Sequence, residues 1–267
     1  MAGRYQGKTV YVVGGSQGVG FACARAFAEE GAQLVLFARG GEVLEQARQA
    51  VAGCGPGAVA HVLDAADPVA VERVMEEAAL QSGPPDVLLN CVGGARPAYF
   101  EEIDAERLQE TLNWNLLSCW HPVRALLPQI KERGGVIVNT ASLAGLIGVF
   151  GYTDYSAAKF AVVGFSEALR SELKPFGVHV CVLCPPDTDT PGFAEEEKGK
   201  PPETRAVSGA GSLLSPEAVA QSLLAGLARK KFLIIPGHAA RWAVRVRRFL
   251  PRWVDWFIDR AVRRAQR

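Results

Sequence analysis

A glycine-rich turn between an apolar run and a helical stretch limits most strongly what this chain folds into. Residues 8–14 form a short, valine-rich run typical of a buried strand, and residues 21–30 have helical patterning. In the turn between them, Gly14, Gly18 and Gly20 have the spacing G-x-x-x-G-x-G. This order favours a βαβ unit whose helix N-terminus binds a pyrophosphate. The alternative is a glycine-rich turn that binds no ligand.

Strands and helices alternate along the rest of the chain. Further apolar runs predict strands at residues 34–38, 58–63, 86–90, 136–140, 178–183 and 232–235. This alternation predicts the α/β class, as a doubly wound parallel sheet of the Rossmann type with helices on both faces. We expect a single domain over residues 1–237 and a C-terminal amphipathic helical extension over residues 238–267.

Two stretches depart from regular alternation. A helical region that Asp104 begins, and that reaches residue 131, contains Pro122, which predicts an interruption there. Residues 185–212 are rich in proline, glycine and charge, which predicts a mobile loop with room for a short helix.

The charge is divided unevenly along the chain. The whole chain carries +1, which suggests no nucleic-acid partner, but residues 238–267 hold nine arginines against Asp255 and Asp259, or +7. Pro251 divides this extension into two helices, each with large apolar residues at helical spacing beside arginines. The apolar residues are Trp242, Val246, Phe249, Leu250, Trp253 and Phe257. A basic amphipathic helix of this kind favours peripheral contact with an anionic membrane. The alternative is a helix packed on the domain or on another subunit.

Six cysteines are scattered through the chain, several in apolar contexts, which is typical of reduced thiols in a cytoplasmic protein. Cys181 and Cys184 are three apart in a predicted strand and point to opposite faces, so we predict no metal site. The N-terminus lacks the apolar core of a signal peptide, and no uncharged stretch suits a transmembrane helix. We therefore expect a cytoplasmic protein, peripheral on the cytoplasmic face of the membrane if the extension binds lipid.

Tyr155 and Lys159 lie four residues apart in a helical segment, so their side chains share one face. A nearby ammonium stabilises the phenolate and lowers the tyrosine pKa from its usual value of about 10. Ser142 follows the predicted strand 136–140, where its hydroxyl can hold a carbonyl oxygen that Tyr155 protonates. The alternative is an ordinary surface pair, the more frequent origin of an isolated Y-x-x-x-K spacing.

The end of the second strand indicates which dinucleotide is bound. NAD-specific proteins place an acidic residue there, whereas this chain has Ala38 and Arg39, and a guanidinium favours the 2′-phosphate of NADP. Asp64 ends the third predicted strand, where its carboxylate can accept a hydrogen bond from the adenine amino group. Asn90 ends the fourth strand, where it either holds the loop near the ribose or belongs to a turn.

Taken together, these residues resemble the short-chain dehydrogenase/reductase family over nearly all of residues 7–236. The resemblance rests on the glycine turn, Asp64, Asn90-Cys91-Val92-Gly93, Asn115, Ser142 and Tyr155-x-x-x-Lys159. The chain departs from the family at Val13, Cys91-Val92 and Pro185-Pro186, where Thr, Asn-Ala and Pro-Gly are usual.

The family resemblance implies a role for each of these residues. It makes Tyr155 the acid and Ser142 the group that orients the carbonyl. Lys159 would lower the pKa of Tyr155 and bind the nicotinamide ribose, while Asn115 would hold a water in a proton relay. Thr190 and the backbone near Thr188 would meet the nicotinamide carboxamide. The residues implied to bind NADP(H) are Gly14, Ser16, Gln17, Gly18, Val19, Gly20, Arg39, Asp64, Asn90, Tyr155, Lys159, Thr188 and Thr190.

Residues 185–205 show a narrower resemblance, to the 3-ketodihydrosphingosine (3-ketosphinganine) reductases. It rests on residues 185–194, Pro-Pro-Asp-Thr-Asp-Thr-Pro-Gly-Phe-Ala, on Glu195-Glu196 and on residues 200–205, Lys-Pro-Pro-Glu-Thr-Arg. This resemblance implies NADPH-dependent reduction of the 3-keto group of a long-chain keto sphingoid base, and we also expect a homo-oligomer. Alternative substrates are 3-oxoacyl thioesters and steroid ketones. An alternative of another class is a nucleotide-binding scaffold or membrane-associated regulator with a vestigial site.

A long-chain substrate needs an apolar wall beside Tyr155. The loop before Tyr155 contains Leu143, Leu146, Ile147, Val149 and Phe150. Phe193 lies in the region predicted to be mobile, which could close over the site as a lid. The alternative is that these apolar residues pack the core or a subunit interface.

Overall fold

The computed structural model describes residues 3–208 and 213–267. Its strands are β1 (Thr9–Val13), β2 (Gln33–Ala38), β3 (Ala58–Val62), β4 (Val87–Asn90), β5 (Val136–Thr140), β6 (His179–Leu183) and β7 (Leu233–Ile234). They form a parallel sheet in the order β3-β2-β1-β4-β5-β6-β7. Strand order reverses between β1 and β4, the kind of crossover at which doubly wound folds bind nucleotides. The predicted fold class is confirmed.

Helices cover both faces of this sheet. They are α1 (Gly18–Glu29), α2 (Gly41–Ala52), α3 (Pro68–Ser82), α4 (Ala105–Leu112), α5 (Ser118–Arg133), α6 (Thr153–Leu173), α7 (Pro191–Gly199), α8 (Pro202–Ser208), α9 (Pro216–Ala228), α10 (His238–Phe249) and α11 (Pro251–Ala265). Residues of α1, α2 and α9 form one core, and those of α3, α5 and α6 form the other. Alternate residues of β1 divide between the cores, since Val10 and Val12 join the first and Tyr11 and Val13 the second. A strand buried on both faces explains why the sequence of β1 is almost uniformly apolar.

Residues 185–208 are more regular than predicted. They contain α7 and α8, and each of these helices begins at a proline. Thr190 caps α7, because its Oγ1 accepts a hydrogen bond from the Phe193 N–H at 3.1 Å. The stretch therefore holds two helices where one short helix was predicted, since the fixed φ of proline suits the first helical turn. The mobility of the segment stays a prediction. Residues 209–212 of the predicted loop lie outside the described part of the chain.

The predicted interruption at Pro122 was wrong. Pro122 lies inside α5, and the irregular turn comes earlier, as a π-helical turn at Asn113–Leu117. There the Ser118 N–H reaches back to the Asn113 carbonyl, five residues earlier. The widened turn places Asn115 inside the protein, where it is fully buried.

The predicted extension contains two helices, α10 and α11, and the second begins at Pro251, where the sequence predicts the division. Its second helix, α11, packs on α8, so the extension lies against the domain. Large apolar residues on its outer surface nevertheless stay exposed, namely Trp242, Phe249, Leu250, Trp253, Trp256 and Phe257. Among the helices of residues 3–208 and 213–267, none is both long enough and apolar enough to cross a membrane.

The six cysteines are all free thiols. Cys181 and Cys184 are buried, but they belong to different apolar clusters, as the strand geometry predicts for residues three apart. Burial raises the pKa of Cys181 to about 12. This pair is therefore placed for packing rather than for a shared ligand.

Candidate active site

A cavity of about 1440 Å³ lies at the carboxyl edge of the sheet, beside the ends of β1, β4, β5 and β6. Most of the predicted site residues line it together, although the chain separates them widely. They are Gly14, Ser16, Gln17, Gly18, Val19, Gly20, Arg39, Asp64, Ser142, Tyr155, Lys159, Thr188 and Thr190. Asn90 and Asn115 lie behind the cavity wall. The carboxyl ends of adjacent parallel strands meet at one edge, which explains how the two halves of the site come together.

The glycine turn forms a cradle at the N-terminus of α1. Gly14 and Gly18 have φ values of 82° and 54°, in the left-handed region that favours glycine. A Cβ on Gly20 would lie 2.1 Å from the Gly14 carbonyl oxygen, so only glycine lets α1 approach the turn this closely. The cradle and the positive end of α1 suit a pyrophosphate group, as NADP requires.

Arg39 and Asp64 lie on the outer part of the cavity wall, and both are exposed. The Asp64 carboxylate accepts a hydrogen bond from the Ala66 N–H at 3.0 Å, which holds the chain after β3. Arg39 follows β2 directly and forms no hydrogen bond or ion pair with the described residues. Its guanidinium is available to an anionic group on the ribose side of the cradle.

Asn90 lies behind the cavity wall, and the cofactor contact predicted for it stays a prediction. Its side chain is fully buried, and its Nδ2 donates to Asn139 Oδ1 at 2.8 Å. Asn139 in turn donates to the Ser166 hydroxyl at 2.9 Å, which links β4, β5 and α6 beneath the site. A buried amide needs such partners, and they lie too far along the chain for the sequence to show them.

Asn115 supports the loop after β4 rather than lining the cavity. Its Oδ1 accepts from the Gly94 N–H at 3.1 Å, and its Nδ2 donates to the Gly94 carbonyl at 3.0 Å. A second hydrogen bond from Nδ2 reaches the Thr111 carbonyl at 3.1 Å. A Cβ on Gly93 would lie 2.4 Å from Asn115 Oδ1 and 2.9 Å from Lys159 Nζ, so this glycine lets the three residues pack together. The water relay implied for Asn115 stays a prediction.

Ser142, Tyr155 and Lys159 meet at the inner wall of the cavity. Ser142 begins the 3₁₀ turn Leu143–Gly145 and accepts a hydrogen bond from the Ala144 N–H at 3.1 Å. Lys159 is buried, and its Nζ donates to the Thr140 carbonyl at 3.1 Å, at the end of β5. The ammonium lies 5.7 Å from the centre of the Tyr155 ring, on the same face of α6.

The surroundings of Tyr155 act on its pKa in both directions, and the effect predicted for Lys159 stays a prediction. Burial raises the pKa of Tyr155 above 10.0, and the Ser142 hydroxyl acts in the opposite direction. The carboxylates of Glu196 and Asp187 add to the rise. Burial also lowers the pKa of Lys159.

Thr188 and Thr190 lie just before α7 and line the cavity together with the glycine cradle. Thr188 is buried, and its hydroxyl donates to the Pro186 carbonyl at 2.8 Å. Thr190 lies against Gly18, because a Cβ on that glycine would be 3.1 Å from the Thr190 methyl carbon. Thr190 therefore lies against the glycine cradle, and both threonines line the cavity. Their contacts with the nicotinamide carboxamide stay a prediction.

The apolar wall beside Tyr155 is only partly the one predicted. Leu143, Ile147 and Val149 line the cavity, as does Phe193 from α7. Leu146 instead packs against a buried cluster. Phe150 meets Tyr99 edge to face, with ring centres 6.0 Å apart.

Sequence reasoning missed two groups of cavity residues. The first is a polar group from α7 and its surroundings, Tyr152, Asp187 and Glu196, with Lys200 behind it. The second is the inner face of the extension, which contributes Ala240, Ala243, Val254 and Ile258 to the wall. The sequence shows the acidic residues that follow Phe193, but it does not show that Glu196 lines the same cavity as Tyr155.

A dinucleotide cradle that shares one cavity with a serine, tyrosine and lysine set defines a nucleotide-dependent oxidoreductase. The chain belongs to the short-chain dehydrogenase family, since a profile described as short chain dehydrogenase matches residues 8–201.

Known relatives and a solved structure are similar to this chain. The 3-dehydrosphinganine reductase of Danio rerio is 41% identical over 82% of this chain and 68% of the relative. The 3-ketodihydrosphingosine reductase of Mus musculus is 40% identical over the same shares. A short-chain dehydrogenase from Sphingobium yanoikuyae, solved in complex with NADPH, is 27% identical with a TM-score of 0.77. That alignment covers 88% of this chain and 90% of the other.

Proposed function

We propose that this protein reduces the 3-keto group of 3-ketosphinganine with NADPH, forming sphinganine in sphingolipid biosynthesis. The observation that carries the proposal is the meeting of Ser142, Tyr155 and Lys159 in the cavity that the glycine cradle also lines. Similarity to 3-dehydrosphinganine reductases over most of the chain supports the choice of substrate.

The residues at the inner wall account for the proton that the reaction consumes. NADPH, when bound, supplies the hydride that adds to the carbonyl carbon. Tyr155 donates its hydroxyl proton to the carbonyl oxygen, and the Ser142 hydroxyl donates a hydrogen bond to the same oxygen. Lys159, fixed by the Thr140 carbonyl, places a positive charge beside the phenolate that forms. A Tyr155 whose pKa is raised by burial holds its proton firmly until negative charge develops on that oxygen.

Arg39 is the residue that we propose selects NADPH over NADH. Replacing it with alanine removes a charge-assisted hydrogen bond to the 2′-phosphate, so we expect KM for NADPH to rise about 10- to 100-fold. KM for NADH should stay within about twofold. Steady-state kinetics with both nucleotides measure the effect, and Arg25→Ala is the matched control, since Arg25 pairs with Glu29 on α1. An equal change for both nucleotides would contradict the assignment.

The cavity also suits a long alkyl chain. Loop residues before Tyr155 and the inner faces of α10 and α11 supply apolar wall, of which Ile147, Ala243, Val254 and Ile258 are examples. A chain that leaves the carbonyl at Tyr155 therefore meets apolar side chains from both the domain and the extension.

Substrate choice is tested by assaying 3-ketosphinganine, a 3-oxoacyl thioester and a steroid ketone in parallel, with NADPH and with NADH. We expect the highest kcat/KM for 3-ketosphinganine with NADPH. A higher value for the thioester or the steroid would replace the proposed substrate. NADPH binding without turnover of any of these ketones would favour a binding protein instead.

We also propose that the extension binds the cytoplasmic face of an anionic membrane, where a lipid substrate is found. Its charge of +7 and its exposed aromatic residues support this, because arginines attract anionic headgroups and tryptophans favour the interface. The inner face of the same helices lines the cavity, so membrane contact would place lipid close to the site.

The membrane proposal is tested by replacing Trp242, Trp253 and Trp256 together with serine, because these side chains are exposed and the cavity wall stays intact. We expect the variant to lose at least about tenfold in binding to anionic vesicles, and added salt to weaken binding of the unchanged protein. Vesicle co-sedimentation measures both. Phe100→Ser is the control, since it removes an exposed aromatic ring from the domain. The proposal would be rejected if the unchanged protein, the triple serine variant and Phe100→Ser bound the vesicles equally. It would also be rejected if the unchanged protein did not bind them.

We further propose a homo-oligomer. Trp120 on α5 and Phe160 on α6 are each nearly half exposed, and a partner subunit would cover them. A solution mass equal to that of one 28.6-kDa chain, measured by light scattering, would reject this.

A further inference from the structure

Asp187 lies at the start of the segment that follows β6, on the wall of the same cavity as Tyr155. The backbone around it is held in place by a parallel bridge between Thr188 and Leu214. The Leu214 N–H donates to the Asp187 carbonyl at 3.1 Å, and the Asp189 N–H donates to the Leu214 carbonyl at 2.8 Å. The carboxylate therefore projects from a fixed backbone rather than from a free loop.

The charged side chains near Asp187 already form hydrogen bonds or ion pairs with one another. Tyr152 donates to Glu196 Oε1 at 2.5 Å, and the buried Lys200 pairs with Glu196 at 3.2 Å and also with Glu197. Lys200 lies over the Phe193 ring, 4.2 Å from its centre. These contacts hold α7 against the cavity.

Asp187, by contrast, forms no side-chain hydrogen bond or ion pair within residues 3–208 and 213–267. It is nevertheless half-buried, and that burial raises the pKa of its carboxyl. The Lys200 charge opposes this rise, but Lys200 is already paired with Glu196 and Glu197, and the pKa of Asp187 stays raised. A half-buried carboxylate in this setting favours a further cation in the adjoining space. The charge is close enough to Tyr155 to raise the pKa of that residue as well.

We infer that Asp187 binds the protonated amino group of an amino ketone substrate and so selects this class over ketones that lack an amine. The inference rests on the proposed function and deepens it. In 3-ketosphinganine the amine is on the carbon next to the carbonyl, two bonds from the carbonyl carbon. A carbonyl oxygen at Tyr155 and Ser142 thus brings the ammonium to the same end of the cavity as Asp187. Glu196, held by Tyr152 and Lys200, adds negative potential there.

Ion pairing at Asp187 has a consequence for the proton donor. An ammonium beside Asp187 offsets a negative charge that otherwise raises the pKa of Tyr155. Tyr155 therefore loses its proton more readily when the amine is bound than when an uncharged ketone occupies the cavity. Recognition of the amine and proton transfer to the oxygen are coupled through this one carboxylate.

The test compares 3-ketosphinganine with 1-hydroxyoctadecan-3-one, which has the same chain, hydroxyl and ketone but no amine. We expect Asp187→Asn to lower kcat/KM for the amino ketone about 10- to 100-fold. For the deamino ketone, kcat/KM should stay the same or rise, because the substitution removes a charge that raises the pKa of Tyr155. Asp187→Glu should recover part of the loss. Asp189→Asn is the matched control, because Asp189 is exposed two residues away and does not line the cavity. The melting temperature and the Kd for NADPH establish that each variant folds.

Each other outcome overturns the inference. An equal loss of kcat/KM for both ketones would mean that Asp187 has a structural role. The absence of any loss would mean that Asp187 does not bind the amine. Both results would leave the proposed function standing. If the unchanged protein reduces a 3-oxoacyl thioester but neither of these ketones, the proposed function fails with it.

The pH dependence of the unchanged protein gives a measurement that needs no variant. Its preference for the amino ketone should fall as the pH drops through the raised pKa of Asp187, because protonation removes the ion pair. The loss begins above the ordinary aspartate value of 3.8. Charged or titratable groups near Asp187 are Lys200, Glu196, Glu197, Tyr152 and Tyr155. A preference that stays constant down to the pH of unfolding would contradict the ion pair.

Discussion

Replacing Tyr155 with phenylalanine is expected to lower kcat for 3-ketosphinganine about 10³-fold, the loss typical of removing a positioned general acid. Binding of NADPH should change less than about threefold, because the glycine cradle, Arg39 and Lys159 are untouched. The ring itself stays, so the half-buried packing beside Ser142 is preserved. Steady-state kinetics give kcat, and NADPH fluorescence gives the Kd.

A matched control for this variant is Tyr99→Phe. The Tyr99 hydroxyl donates to Glu203 Oε2 at 3.1 Å, so its loss also removes one tyrosine hydrogen bond. We expect turnover within about twofold of the unchanged protein. If Tyr155→Phe keeps more than a tenth of the turnover, another group donates the proton and the mechanism is wrong.

A second large effect is expected at the glycine cradle. A methyl group on Gly20 would lie 2.1 Å from the Gly14 carbonyl oxygen and 2.9 Å from its carbon, and backbone cannot move aside as a side chain can. Gly20→Ala should therefore push α1 away from the turn. We expect a loss of about 1–3 kcal/mol in the free energy of unfolding and a similar loss in NADPH binding, about 10- to 100-fold in Kd.

Gly164 provides the contrasting control. It lies exposed within α6, and a Cβ there would meet no described atom within 4 Å apart from the neighbouring backbone of its own helix. Alanine at this position should raise the free energy of unfolding by about 0.5–1 kcal/mol, because glycine is a poor helix former. Urea unfolding measures both variants, and equal effects of the two substitutions would contradict the steric argument.

Much of the site could be predicted because its signals are local. The spacing of Tyr155 and Lys159 places them on one helix face, and Ser142 and Arg39 follow strands whose ends meet at one sheet edge. The periodicity of each segment shows where these strands and helices lie, without reference to the rest of the chain.

Other parts of the site depend on contacts between distant residues. Asn90 ends a strand as predicted, but its amide points away from the cavity because Asn139, 49 residues later, accepts its hydrogen bond. The pKa of Tyr155 likewise depends on contacts that the sequence does not show. The four-residue spacing shows the nearby lysine, whereas burial by the surrounding loops and helices is invisible locally.

Sequence alone therefore determined the alternating α/β fold, the glycine cradle and the serine, tyrosine and lysine set, since each is a matter of spacing along a strand, turn or helix. Only the tertiary structure decided that the extension lines the cavity, and that Asp187 lines the same cavity as Tyr155 with no side-chain partner among the described residues. Both are properties of packing. Whether a charge has a partner, and which face of a helix meets the domain, depends on side chains that come together only when the chain folds.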